Sequence, residues 1–371
     1  MNTLFQPISI GGISLKNRIV FAPTSLGGGD EELYRAIAAG GAGLIVMADL
    51  SVVPSMLGAP SLDSMKYGDS FKSVIDDCHR HGCMVSAQLF HPEYDVEAMT
   101  SLYRSKGAGS PAEVRAKLSE STERYCDELT PSRIEAITEA FGTAARRAEA
   151  MGFDMVQIHG DRLIGSFTSP VFNHRTDGYR DHARFPADVV RAIRREVPDM
   201  ALDYKLTIRM EEQKLGRGGI AESEVERLVP LLEEAGVDSF HVSLANHTDI
   251  QDTIPAASHL KLAGEACFLP LAQLVKSCSS KPVCAVGKIQ RPETAVRILD
   301  QGMDLIGMSR QLIADPSWPQ KVQSGCQEAI IYCLYCNRDC VQSLRGGQPA
   351  GCILRHKPQS ERSHKTCISN D

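Results

Sequence analysis

Four cysteines near the C-terminus carry the plainest chemical signal. Cys333, Cys336, Cys340 and Cys352 stand in the spacing C-x2-C-x3-C-x11-C, with Arg345-Gly346-Gly347 between the third and the fourth. Tight turns can gather thiols so spaced around one centre. Four thiolates are soft ligands, and they suit either tetrahedral zinc or a 4Fe–4S cluster. The spacing leaves both open. Cys78, Cys83, Cys267, Cys278 and Cys284 lie singly in apolar or helical contexts, where a free thiol behaves as a small hydrophobe. Twelve cysteines in a reducing compartment do not amount to a disulfide framework.

Other reactive residue types cluster at the ends of short apolar runs. Eight such runs are rich in Val, Ile, Leu and Met: Ile19 to Phe21, Leu44 to Met47, Met84 to Leu89, Met155 to His159, Leu202 to Ile208, Phe240 to Leu244, Val283 to Val286, and Leu305 to Met308. Between them lie amphipathic segments, including Pro131 to Met151, Ala187 to Val197, Ser223 to Ala235 and Pro292 to Gln301. Strands buried on both faces and separated by helices form a parallel sheet, and eight such units predict an α/β fold closed as a (β/α)8 TIM barrel. A doubly wound open sheet fits less well, because strand ends rather than one Gly-rich first turn carry the unusual residues. Glycine recurs where a helix stops before the next strand, as in Gly40-Gly41, Gly152, Gly236 and Gly302. The polar stretch from Pro92 to Asp127 reads as a long loop shaping access to the C-terminal mouth. The pattern changes after Gly325, which divides the chain into a barrel, 1–325, and a four-cysteine extension, 326–371.

Composition limits the partners. A net charge of −6 argues against nucleic acid, since neutralising phosphates calls for a basic excess. No basic stretch followed by an apolar run opens the chain, and no segment is long and apolar enough to span a bilayer. A cytoplasmic protein with no membrane contact is expected.

The run Leu15-Lys16-Asn17-Arg18-Ile19-Val20-Phe21-Ala22-Pro23-Thr24 resembles the first strand of the old yellow enzyme family of NADH:flavin oxidoreductases. Leu129-Thr130-Pro131, Gly152-Phe153-Asp154 and Ile158-His159-Gly160 resemble its fourth βα unit, and Phe167-Thr168-Ser169-Pro170 through Arg184-Phe185 continues the likeness. The cysteine tail resembles the subgroup of 2,4-dienoyl-CoA reductase and trimethylamine dehydrogenase, which implies a 4Fe–4S cluster rather than zinc. Members of that subgroup carry a further FAD/NAD-binding region, before which the present sequence ends.

The resemblance implies FMN and assigns positions for it. Ala22, Pro23 and Thr24 would lie beside the flavin, Ala48 would follow the second strand and let the ring approach, and Gln88 would bond the pyrimidine edge. Lys205 stands where relatives have Arg; it reads either as a rim salt bridge or as the cation that stabilises negative charge on the reduced ring. Gly287, Lys288, Ser309 and Arg310 follow strands seven and eight, where backbone amides and a helix N-terminus favour the phosphate. No Gly-rich dinucleotide fingerprint appears, which favours FMN over FAD.

Departures from the family bear on the substrate. Relatives read His-x-Ala-His/Asn-Gly-Tyr, whereas this chain reads His159-Gly160-Asp161-Arg162 and has no counterpart of the Tyr. His159 keeps its place. Asp161 and Arg162 form either a structural ion pair or a substrate device, with Arg162 binding an anionic or carbonyl group and Asp161 positioning it or relaying a proton. His247 aligns with the catalytic His of the dienoyl-CoA reductases. His-Gly-Asp-Arg in a short, cluster-bearing chain is most similar to the bilirubin reductases of gut bacteria, implying an FMN-dependent ene-reductase that passes hydride to a carbon–carbon double bond of a conjugated substrate, bilirubin or a related linear tetrapyrrole. NAD(P)H or a reduced electron carrier would supply the electrons. Two alternatives are a reductase of 2,4-dienoyl-CoA or other enones, and an electron-transfer subunit with no organic substrate. Self-association and an electron-donor protein stay open.

Overall fold

The computed structural model describes residues 2–24, 31–54, 60–104, 111–246, 250–341 and 351–355. Eight parallel strands close into a barrel: β1 (Ile19–Phe21), β2 (Leu44–Ser51), β3 (Met84–Phe90), β4 (Met155–His159), β5 (Ala201–Arg209), β6 (Ser239–Leu244), β7 (Val283–Ala285) and β8 (Leu305–Met308). Each pairs with its sequence neighbour, and β8 pairs with β1 to complete the ring. The expected TIM barrel is therefore what the chain forms. Alternation within the strands gives it two cores. Val20, Leu44, Val46, Met155, Ala201, Cys284 and Leu305 fill the lower interior, and the N-terminal hairpin Ile8–Ile10/Ile13–Leu15 seals that end with Ile10 and Leu15. Intervening residues such as Ile19, Phe21, Ile45 and Val156 face outward under the helices.

The helix Pro131–Met151 illustrates how local signals set an element. Pro131 opens it, Thr130 accepts from the Arg133 amide at 3.3 Å, and Gly152 ends it at φ 94°, a conformation that costs glycine nothing. Its nine buried residues face the barrel and the helix Arg184–Glu196.

Two expectations are corrected. The stretch from Pro92 to Asp127 is not one long loop, because it holds helices Val96–Arg104 and Pro111–Glu128. The second is rich in strong helix formers, and Arg124 reaches Glu120 at 3.3 Å and Glu128 at 3.5 Å along its own face. Residues 105–110 lie outside the described residues. The second strand runs on to Ser51, so Ala48 sits within it and not beyond it. A register shift between Met47 and Leu50 against β3 bends the strand there, and Asp49 adopts φ 55°. The described part of the cysteine segment packs on the barrel. The Cys333 amide donates to Gln311 at 2.9 Å, Gln311 donates to the Ile331 carbonyl at 3.0 Å, and Ile330 joins the outer core. No helix among the described residues is long and apolar enough to cross a membrane.

Candidate functional site

A cavity of about 410 Å³ opens at the C-terminal ends of the strands, within the range usual for small-molecule sites. All ten positions expected to touch a flavin line it: Ala22, Pro23 and Thr24 after β1, Ala48 in β2, Gln88 in β3, Lys205 in β5, Gly287 and Lys288 after β7, and Ser309 and Arg310 after β8. His159, Asp161 and Arg162 line it too. His247 lies outside the described residues. Thr24 Oγ1 is 2.6 Å from Ser309 Oγ, tying the end of β1 to that of β8.

β4 delivers the charged corner. After His159 the chain must pass β5 closely: a Cβ on Gly160 would lie 2.4 Å from the Lys205 carbonyl oxygen. Arg162 then takes φ 57° at the start of the helix Arg162–Thr168. Its side chain turns to residues that the sequence reading had not paired with it. Arg162 Nη1 donates to Glu93 at 3.2 Å, and Nη2 lies 4.0 Å from Asp49. Glu93 above all, then Asp49 and Asp161, hold the guanidinium charged against the cost of burial. The expected Asp161–Arg162 pair is thus a cluster in which Asp161 is the lesser attraction, because strand geometry brings Glu93 of the β3 loop and Asp49 of the β2 bulge closer. The Asp161 amide donates to His159 Nδ1 at 3.3 Å, which leaves Nε2 to carry the proton of the neutral ring. That nitrogen lies 3.6 Å from Asp49 Oδ1.

Burial lowers the pKa of Lys205, while Asp161 and Asp49 pull it back up. His241, on the floor beside it, is 2% exposed, and burial together with Lys205 pushes its pKa down to about 3. It is a neutral ring at any ordinary pH.

The end expected to hold phosphate is built differently from a simple helix N-terminus. The helix Arg310–Ala314 has only five residues. Lys288 takes φ 56° and donates to the Leu262 carbonyl at 2.8 Å. Arg310 Nη1 donates to Pro255 O at 2.9 Å and to Asn337 Oδ1 at 2.7 Å, and its guanidinium lies 4.8 Å from the ring centre of Tyr335. Arg310 therefore joins the cavity to the cysteine segment. Cys333, Cys336, Cys340 and Cys352 line a second, smaller pocket that also contains Arg310 and Asn337, and Cys340 borders both. None of the four is in a disulfide. Burial pushes Cys333 up to about 11, and Arg310 opposes it. Among the described residues no group of three or more His, Cys, Asp or Glu side chains is placed to hold a metal ion.

Comparison with known proteins identifies the chain. The model of the NADH:flavin oxidoreductase / NADH oxidase family matches residues 3–329. The chain belongs to this family. Members are flavin-dependent oxidoreductases, and the chain is an enzyme of that class. It is 42% identical to a bilirubin reductase of Clostridium symbiosum, covering 95% of this chain and 98% of that protein. It is 35% identical to a bilirubin reductase of Mediterraneibacter gnavus, over 95% of this chain but only 56% of that protein. Among solved structures, a 2-naphthoyl-CoA reductase complex superposes with a TM-score of 0.79 at 25% identity, over 95% of this chain and 57% of that one. An old yellow enzyme homologue from Zymomonas mobilis superposes at 0.66, with 20% identity over 87% and 93% of the two chains, and shares the fold.

Against this family background, sequence reading missed Asp49, Glu93 and His241. His241 lies two residues from the barrel-facing Ser239, so strand alternation was the signal that could have found it, whereas Asp49 reaches the cavity only through the register shift between Met47 and Leu50, which alternation does not foretell. Glu93 had none, since it reaches Arg162 across 69 residues.

Proposed function

We propose that this flavin oxidoreductase is an FMN-dependent ene-reductase whose substrate is bilirubin or a related linear tetrapyrrole. The observation that carries the reading is the cavity: it holds every expected flavin position and, at its rim, a cationic Arg162. The 42% identity to a bilirubin reductase of nearly the same length supports the substrate.

The residues present fit FMN. Gln88 offers a buried amide toward the cavity, Lys205 a cation, and the segments after β7 and β8 two further cations, Lys288 and Arg310, for one phosphate. When bound, FMN supplies hydride for a conjugated carbon–carbon double bond. Lys205 would sit against the pyrimidine edge, where a cation opposes negative charge. Arg162 would bind a propionate of the substrate through its planar fork, with Glu93 and Asp49 fixing its orientation. Asp161, His159 and His247 are the candidates to hold or pass the proton that completes the reduction.

The cysteine segment, residues 326–371, is read as the seat of a 4Fe–4S cluster. Four thiols border one pocket, and the likeness of the cysteine tail to the cluster-bearing subgroup favours the cluster over zinc, which four soft ligands would also suit. Arg310 beside them offsets the negative charge of thiolates. Electrons from NAD(P)H or a reduced carrier protein would enter through that side. The family match and the likeness to bilirubin reductases favour an enzyme over an electron-transfer subunit. The test is anaerobic purification, mass spectrometry of the released flavin, and chromatography of bilirubin incubated with the reduced protein. FMN in the protein and loss of bilirubin to a more reduced tetrapyrrole are expected; FAD, no flavin, or unchanged bilirubin would overturn the reading.

A further inference from the structure

A row of polar side chains crosses the barrel interior beneath the cavity. Gln88, Gln157, Asp203 and Ser239 are Cα partners on the neighbouring strands β3, β4, β5 and β6. None is more than 6% exposed. Barrel interiors are normally filled with Val, Ile and Leu, so four buried polar groups in register call for a reason. Their hydrogen bonds form one chain. Ser239 Oγ donates to Asp203 Oδ1 at 2.5 Å, and Gln157 Nε2 donates to Asp203 Oδ2 at 2.5 Å. Gln88 Nε2 donates to Gln157 Oε1 at 2.6 Å, and Gln88 Oε1 accepts from the Asp49 amide at 3.4 Å.

The chain has a direction, and Asp203 sets it. Both Asp203 oxygens accept, Oδ1 from Ser239 and Oδ2 from Gln157, as those of a carboxylate do, and these bonds together with the Tyr204 amide oppose the burial that raises its pKa to about 6. A carboxylate only accepts. Gln157 must therefore turn its nitrogen to Asp203 and its oxygen to Gln88. Gln88 must in turn give its nitrogen to Gln157, which leaves its oxygen on the side of Asp49 and the cavity. The choice between two otherwise equivalent amide orientations is made two strands away.

We propose that Asp203, acting through Gln157, is a positioning residue that holds the amide oxygen of Gln88 as the acceptor for the imide N–H of the flavin pyrimidine. This rests on reading the cavity as the FMN site. An oxidised isoalloxazine has one ring N–H, and it lies between two carbonyl groups. A Gln88 amide turned the other way would set N–H against N–H.

The test measures FMN affinity of the deflavinated full-length protein by flavin fluorescence quenching, independent of turnover. The variants are Asp203→Asn, which is nearly isosteric and removes the directional constraint, Gln157→Leu, which cuts the chain, and each of these in a Gln88→Ala background. A further double variant, Asp203→Asn with Gln157→Glu, moves the carboxylate one strand nearer Gln88 and restores the direction. Each single variant should weaken FMN binding by about tenfold, the scale of one misdirected buried hydrogen bond. In the Gln88→Ala background neither should change it by more than about twofold, since coupling vanishes with the shared partner. The double variant that exchanges acid and amide should recover most of the loss. Unchanged affinity in Asp203→Asn, equal losses without Gln88, or no recovery in the exchange would each overturn the positioning role while the wild type still binds FMN. A wild type that binds no FMN would instead overturn the reading of the cavity.

Discussion

Replacing Arg162 with Ala separates its roles. The Arg162 side chain is one-third exposed, and its Nη1 lies 3.2 Å from Glu93. An ion pair in that setting, between the fully exposed and fully buried cases, contributes about 1–2 kcal/mol to stability, so the melting temperature should fall by no more than a few degrees. Substrate recognition should suffer more. A charge-assisted hydrogen bond to a propionate contributes about 1.5–3 kcal/mol, equivalent to roughly 10- to 150-fold in kcat/KM. Because a propionate does not change during reduction, the loss should fall mainly on KM. The assay is anaerobic steady-state reduction of bilirubin and of its dimethyl ester, alongside bound flavin and melting temperature for wild type, Arg162→Ala and Arg162→Lys. The expected result is a large loss with bilirubin, a small one with the ester, normal flavin content and partial recovery in Arg162→Lys. Equal losses on both substrates, or full activity of Arg162→Ala on bilirubin, would refute the reasoning.

Three further outcomes follow from the same geometry. Lys205→Met removes the cation nearest the expected pyrimidine edge, and dye-equilibration titration should find the flavin midpoint lower by about 30–60 mV, a ten- to hundredfold shift for a two-electron couple; an unchanged potential would put Lys205 elsewhere. Cys336→Ser should abolish the brown absorbance of the anaerobic protein and its iron content while FMN remains bound, whereas stoichiometric zinc and no iron in the wild type would refute the cluster. Burial holds the Cys83 and Cys284 thiols far above their ordinary pKa, so in native protein at pH 8 both should resist iodoacetamide and react only on unfolding, as peptide mass spectrometry would reveal.

Much of the architecture was legible because it is written locally. Three of the eight strands match their apolar runs residue for residue, and the other five differ only at their ends, since a strand buried on both faces needs a continuous apolar run. Pro131 and Gly152 marked both ends of their helix, because capping depends only on neighbouring residues. Locating the cavity needed one further step: strand ends of a parallel barrel meet at one mouth, so Gln88, Lys205 and Arg310 converge although far apart in the chain. The misread stretch before Asp127 shows the limit of polarity as a guide, since a solvent-facing helix and a polar loop share a composition.

Residue type and short spacing were enough to give the number and order of the strands, the mouth at which reactive side chains gather, and the set of four thiols. What those side chains touch came from the folded chain alone. The bulge at Asp49 and the approach of Glu93 replaced a simple Asp161–Arg162 pair, and strand register lined up Gln88, Gln157, Asp203 and Ser239. Register and bulges are set by the packing of whole strands around the closed ring, and a hydrogen bond acts over about 3 Å, so a shift of one residue would undo every such contact without altering the pattern from which the barrel is read.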